Sequence, residues 1–167
     1  HATLLALSFH PAALFPLAWV CLVPEVILLR DARSPRQAIF WTGVSHFLQG
    51  TFTVYWLMYM GAGPAPWLGT ALGFGLYGAF YALLARPLAR SRIPVALWLP
   101  VVWTGIECIQ GKLFFFAFPW MWLGHSQYLV KPLIQIADLG SVPLLSFVVA
   151  LVNASLAELV VARGRAL

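Results

Sequence analysis

Residues 142–161 read VPLLSFVVALVNASLAELVV, a run with one carboxylate, Glu158, and no cation, closed by Ala162-Arg163-Gly164-Arg165. About 20 predominantly apolar residues let a helix cross ~30 Å of hydrocarbon, so this stretch has the length and chemistry of a membrane crossing. The same design recurs upstream. Gln37 to Met60 is a second long apolar run, preceded by Arg30, Arg33 and Arg36, and a further pair of such runs is separated by Arg86, Arg90 and Arg92. Eight of the ten Lys and Arg residues fall in these two clusters and the Arg163, Arg165 tail; the other two, Lys112 and Lys131, lie in the one long connection.

Composition agrees. With 62% hydrophobic and 9% charged residues and a mean hydropathy of +0.87, a soluble domain of this size would have more apolar side chains than its core could hide. The net charge of +5 does not make a nucleic-acid partner. Such a surface needs its cations on one face of a water-soluble body, and here they stand at helix ends. Cys21 and Cys108 both lie in apolar segments, so neither a disulfide framework nor a thiolate metal site is indicated.

The pattern predicts an all-α fold, a polytopic transmembrane helix bundle with five full spans, a partial N-terminal helix and an outward-facing aromatic elbow. The spans run roughly from Ala13 to Leu29, Gln37 to Met60, Pro66 to Ala85, Ile93 to Gln110 and Val142 to Ala162. Their loops alternate: Arg30 to Arg36, Arg86 to Arg92 and the tail on one side, Gly61 to Ala65 and Gly111 to Ser141 on the other. Short loops rich in Lys and Arg stay in the cytoplasm, so connection 111–141 faces outward from a bacterial inner membrane. Ala2 to Phe9 are apolar but too short to span and lack a basic flank or cleavage site, which suits a helix cut short better than a signal peptide. Gly69, Gly73, Gly75 and Gly78 are expected to serve helix packing, and Pro16, Pro24, Pro94 and Pro100 to be tolerated as kinks.

Chemistry-bearing residues are few. Phe114, Phe115, Phe116, Phe118, Trp120, Trp122 and Tyr128 crowd around Pro119 and Gly124, which suits either an aromatic belt at headgroup level or a lipid-facing elbow that admits an acyl chain. Glu107, Glu25, His46 and Gln49 lie within the spans, where an ionisable group is costly enough to suggest function. Each also has a modest alternative: Glu107 pairing with Lys112, Glu25 near Arg30, His46 hydrogen bonded to a neighbouring helix. Asn153 and Glu158 read as interhelical polar contacts. No HExxH, GxSxG or P-loop occurs, and Cys108 cannot pair with Glu107 because adjacent helical residues point about 100° apart. No cofactor and no metal site is expected.

Trp103-Thr104-Gly105-Ile106-Glu107 with Gly111, Phe118-Pro119-Trp120, Leu123-Gly124 and Ser126-Gln127 resembles the N-terminal membrane domain of apolipoprotein N-acyltransferase. Ser8-Phe9-His10-Pro11, Leu17-Ala18-Trp19-Val20, Leu22-Val23-Pro24, Tyr55-Trp56-Leu57 and Leu139-Gly140 through Ser146-Phe147 extend the resemblance over nearly the whole chain. Gln110 stands where the family usually has Arg, Ala117 where Gly is usual, His125 in place of an aromatic, and Glu25 at a normally apolar position. The resemblance implies transfer of a phospholipid acyl chain to the N-terminal cysteine of a lipoprotein through a Cys thioester. It also implies a nitrilase-like domain bearing Glu, Lys and Cys, which these 167 residues do not contain. What remains is an anchoring and docking platform, with Glu107, Phe118, Trp120, Gly124, Ser126 and Gln127 as candidate lipid- or substrate-docking residues and no catalytic residue.

Three readings stay open at this level. The chain is the membrane domain of a longer acyltransferase; or a stand-alone partner of a separately encoded catalytic subunit; or an unrelated binding or transport module whose His46, Gln49 and Glu107 line a path. The implied partners are membrane phospholipid, a lipoprotein substrate and a nitrilase-like domain in cis or in trans, with no nucleic acid.

Overall fold

Proline decides where several helices of this chain begin. The structure, a computed structural model, describes residues 1–9, 12–61, 63–112 and 117–166, the last four by backbone only. His10 and Pro11 of the opening motif, Phe114 to Phe116 of the elbow and the side chains of Arg163 and Arg165 lie outside the described residues. Among those described, the regular structure is entirely helical: α1 (Ala2–Leu7), α2 (Val23–Asp31), α3 (Pro35–Thr53), α4 (Ala65–Ala89), α5 (Val95–Lys112), α6 (Lys131–Ile134) and α7 (Ala137–Ala166). Tight 3₁₀ turns run over Phe15–Trp19, Tyr55–Tyr59 and Leu123–Gln127.

The first expected span is not one helix. Pro16 opens the Phe15–Trp19 turn and Pro24 opens α2. A proline has no N–H to give to the preceding turn, so it is at home only where a helix starts. The nine residues of α2 rise only ~14 Å, about half a bilayer core. Pro94 likewise precedes α5, its carbonyl accepting from Leu97 N; of the four prolines expected as kinks, only Pro100 lies inside a helix. The second expected span ends early, at Thr53, and continues as the Tyr55–Tyr59 turn. In α7 the chain breaks at Gly140 and Ser141, where Ser141 has φ 58°, so its long straight part is the apolar run that follows.

α3 lies along α4 and α5 along α7. Glycine sets the first approach, but not every one of the four expected glycines takes part. A Cβ on Gly75 would stand 3.2 Å from Phe47 Cβ, and one on Gly78 would stand 2.5 Å from the His46 ring. Gly69 has nothing within 4 Å of where its Cβ would be, so it does not pack against another helix. Close backbone approach is the main attraction available between helices in lipid, where burying apolar surface gains nothing.

The core is built from Leu22, Val26, Leu29, Tyr81, Leu99, Leu123 and Val149. Outward from it the surface stays apolar: Leu72, Leu76 and Leu83 along α4 are 57, 59 and 54% exposed. Such a continuous exposed apolar face is foreign to a water-soluble monomer. α4 and the stretch Ala137–Ala162 are both long and apolar enough to cross a membrane. The Arg clusters gather at one end: Arg90 Nη1 donates to the Arg30 carbonyl at 2.7 Å and Arg86 Nη2 to that of Ala32 at 3.3 Å. Ala162 lines the same cleft as Arg30 and Arg92.

Candidate functional site

Glu107 organises the opposite end. It sits on the buried face of α5 one turn after Trp103, so the two side chains share a face. Its Oε1 accepts from Trp103 Nε1 at 2.9 Å and from the Leu123 backbone N–H at 2.6 Å. Together these two bonds pin the elbow to α5. The expected partner, Lys112, is exposed and forms no ion pair with Glu107; the carboxylate faces the core side of α5 while the lysine leaves at the helix end.

The residues that follow tie the elbow both to other elements and to itself. Gly124 N donates to Ser146 Oγ on α7 at 2.8 Å. Here glycine is required, since a Cβ would stand 2.9 Å from the Val142 carbonyl oxygen, which is backbone and cannot yield. Ser126 Oγ donates to the Leu123 carbonyl at 2.7 Å, and Gln127 Nε2 donates to Ser126 Oγ at 2.8 Å and to the Phe15 carbonyl at 3.3 Å. Gln127 Oε1 accepts from Trp19 Nε1 at 3.0 Å. Asn153 completes the lock: it accepts from Leu22 N and donates to the Ala18 and Val149 carbonyls. Glu158 accepts from Ala96 N at the start of α5. Both therefore make the interhelical contacts expected of them.

The aromatic half of the elbow faces the other way. Phe118 N donates to the Gln110 carbonyl, and its ring meets Phe74 edge-on at 6.0 Å and Trp120 at 6.1 Å. Trp120, 53% exposed, also lies 5.6 Å from Trp56. Between outward Trp120 and inward Trp122 the chain reverses at Met121, whose φ is 60°, a conformation that costs roughly 1–2 kcal/mol for a residue with a Cβ. Trp122 packs onto Gly111, where any Cβ would stand 2.5 Å from its ring. His125 stacks on Trp122 and its Nδ1 accepts from Trp122 N at 3.1 Å. Burial pushes the His125 pKa below the usual histidine value.

Of the six candidate docking residues, then, Phe118 and Trp120 form a surface, while Glu107, Gly124, Ser126 and Gln127 are sealed beneath it and hold it in place. Beside Phe118 runs a groove of about 310 Å³ between the elbow and α4, lined by Gly69, Thr70, Gly73, Phe74, Gln110 and Ala117 among others. The glycines of α4 thus divide: Gly75 and Gly78 pack on α3, and Gly69 and Gly73 open the groove. Behind it, His46, Gln49 and Glu107 line one small cavity of about 20 Å³ with Gln110 and Trp103. Glu25 does not turn to Arg30; its carboxylate meets His46 and His1. Sequence reasoning passes over Trp103, Ser146 and Trp19 as site residues. Trp103 alone carries a signal, its spacing of four from Glu107.

These features define an all-helical domain with two helices of membrane-crossing length and an elbow latched to the bundle by buried polar side chains. The apolipoprotein N-acyltransferase N-terminal domain matches residues 1–155, and the chain belongs to that family. The apolipoprotein N-acyltransferase of Geobacter metallireducens is 34% identical over 94% of this chain and 32% of its own length. That of Pseudomonas putida is 36% identical over 95% and 33%, and that of Rhodopirellula baltica 30% identical over 93% and 29%. The chain spans about a third of the length of these curated relatives. Membership sets aside the reading as an unrelated transport module.

Proposed function

We propose that this chain is the membrane platform of a lipoprotein N-acyltransferase, which receives a phospholipid acyl chain beside the elbow and presents it to a nitrilase-like catalytic domain joined in cis or in trans. The carrying observation is the groove between α4 and Phe118: it is walled by glycines and aromatic rings, and it lies at the end of the bundle opposite the Arg clusters. In this arrangement the chain crosses a bacterial inner membrane five times, the first crossing being made of the Phe15–Trp19 turn and α2 together. The Arg-rich end stays in the cytoplasm and the elbow lies at the outer headgroup level, where Trp120 and Phe118 are favoured. Acyl transfer proceeds on the catalytic domain, through a Cys thioester that passes the acyl group to the amino terminus of the lipoprotein. The chain's own role is to hold lipid near that thiol and to fix the elbow through Glu107, Gly124, Ser126 and Gln127, which trades translational freedom for orientation.

Gly69→Phe tests this directly, because Gly69 lines the groove and a Cβ there would meet nothing within 4 Å. In an active acyltransferase carrying this domain, the variant should raise the KM for phospholipid at least about tenfold, as the loss of several buried methylenes implies, with the fold unchanged by circular dichroism. Unchanged phospholipid kinetics would remove the groove from the reaction.

A further inference from the structure

A second polar cluster, at the junction of α1, α2 and α3, stands outside the acyl-transfer role. His1 precedes α1, Glu25 lies in the first turn of α2 and His46 lies in α3, their side chains 2, 1 and 8% exposed. Each carboxylate oxygen faces one imidazole: Glu25 Oε1 is 2.9 Å from His46 Nε2, and Oε2 is 3.4 Å from His1 Nδ1. One donor atom from each of the three residues falls within 4.8 Å of the other two. Ser45 Oγ, 3.3 Å from the same His1 nitrogen, is a further oxygen within reach.

Hydrogen bonding alone leaves this cluster incomplete. A charge-assisted N–H to carboxylate bond is about 2.7–2.9 Å long, so the 3.4 Å contact is not one. Glu25 Oε2 and His1 Nε2 are buried without any hydrogen-bond partner, and a buried carboxylate needs both a countercharge and full hydrogen bonding. Among the described residues no Lys or Arg pairs with it. The 3.4 Å separation of Glu25 Oε2 and His1 Nδ1 is instead that of co-ligands: donors at ~2.0–2.1 Å from a tetrahedral zinc stand about 3.4 Å apart. Two imidazoles and a carboxylate suit a borderline ion such as Zn²⁺ rather than Mg²⁺ or Ca²⁺. The walls are rigid, with Trp103 5.6 Å from both rings and Gly78 leaving the room that His46 fills.

We infer that His1, Glu25 and His46 form a site for a divalent transition-metal ion, best matched by Zn²⁺, that clips α1 and α3 to α2. The ligands come from three separate elements, so no spacing motif announces them. The test uses the whole chain in detergent micelles, stripped with chelator and titrated with Zn²⁺ or Co²⁺ alone. One ion should bind per chain, with the visible bands of tetrahedral Co²⁺. His46→Ala and Glu25→Gln should each weaken binding at least about 100-fold, more than the loss of an outer-shell partner costs, while His125→Ala binds as before. His46→Cys and His1→Cys should add a thiolate-to-Co²⁺ charge-transfer band, which arises only when the side chain sits on the metal. Absence of stoichiometric metal, binding indifferent to His46 and Glu25, or no such band in either cysteine variant overturns the site.

Discussion

Replacing Glu107 by Ala removes one oxygen that satisfies two donors, and this makes its cost calculable. Trp103 Nε1–H and the Leu123 N–H both lose their acceptor, and each residue is buried, at 6 and 0% exposure. An orphaned buried donor costs about 1–3 kcal/mol. Interhelical hydrogen bonds in membranes average only about 0.6 kcal/mol, because side chains released from one partner find another. The indole has some freedom to do so, but the Leu123 N–H is backbone at the head of a 3₁₀ turn and stays where the elbow holds it. Taking the full penalty for the backbone donor, a reduced one for the indole and a further share for the vacated volume, the loss is about 2–4 kcal/mol. The assay is reversible unfolding of the chain in mixed micelles of mild detergent and dodecyl sulfate. Glu107→Gln sharpens it: both donors meet the same oxygen, so a carboxamide oxygen in that place should keep the loss below about 1.5 kcal/mol. A loss under about 0.5 kcal/mol for Ala, or equal losses for Ala and Gln, would refute the assignment of Glu107 as the elbow's acceptor.

Three further outcomes follow from the geometry. Gly124→Ala should destabilise by about 1–3 kcal/mol, since its Cβ meets immovable backbone, whereas Gly69→Ala should stay within about 1 kcal/mol of the parent or gain from helix propensity; the same unfolding assay compares them. His125, neutral in the fold and accepting from Trp122 N, has a folded pKa below its unfolded value. Its stability is therefore complete above the unfolded value of about 6.5 and falls as the pH drops below that, levelling off under the folded pKa; the difference in pH profile between parent and His125→Asn isolates this effect, and parallel profiles count against it. Trp120→Ala should change stability by less than about 1 kcal/mol yet measurably lower the Trp fluorescence quenching produced by lipids brominated near the headgroup. Quenching that persists undiminished would take Trp120 away from the lipid surface.

Much of the candidate site was legible along the chain. Phe118, Trp120 and Glu107 stand out because aromatic crowding and an acid in an apolar run are rare and local. Gly124, Ser126 and Gln127 were legible only as a pattern of resemblance; that Gly124 and Gln127 fasten the elbow depends on Ser146, Trp19 and Phe15 far away in the chain. Glu25 shows the limit most clearly. Its nearest cation in sequence is Arg30, one turn on, but helix phase turns the two apart and the fold supplies His46 and His1 instead.

The amino-acid sequence by itself determined the helical class of fold and pointed to lipid as the solvent. Apolar runs of membrane length and Arg clusters at their ends are properties of composition and order, because the costs of placing a charge or an unpaired peptide group in hydrocarbon are paid locally, residue by residue. It also determined family membership, through motifs spread over nearly the whole chain. Tertiary structure alone decided which apolar runs are continuous helices, which glycines of α4 pack and which line the groove, and which buried polar groups find each other. Those outcomes turn on helix phase and on close contacts between residues as many as 135 positions apart, Ala18 with Asn153, and no local pattern encodes a contact whose two halves are read separately.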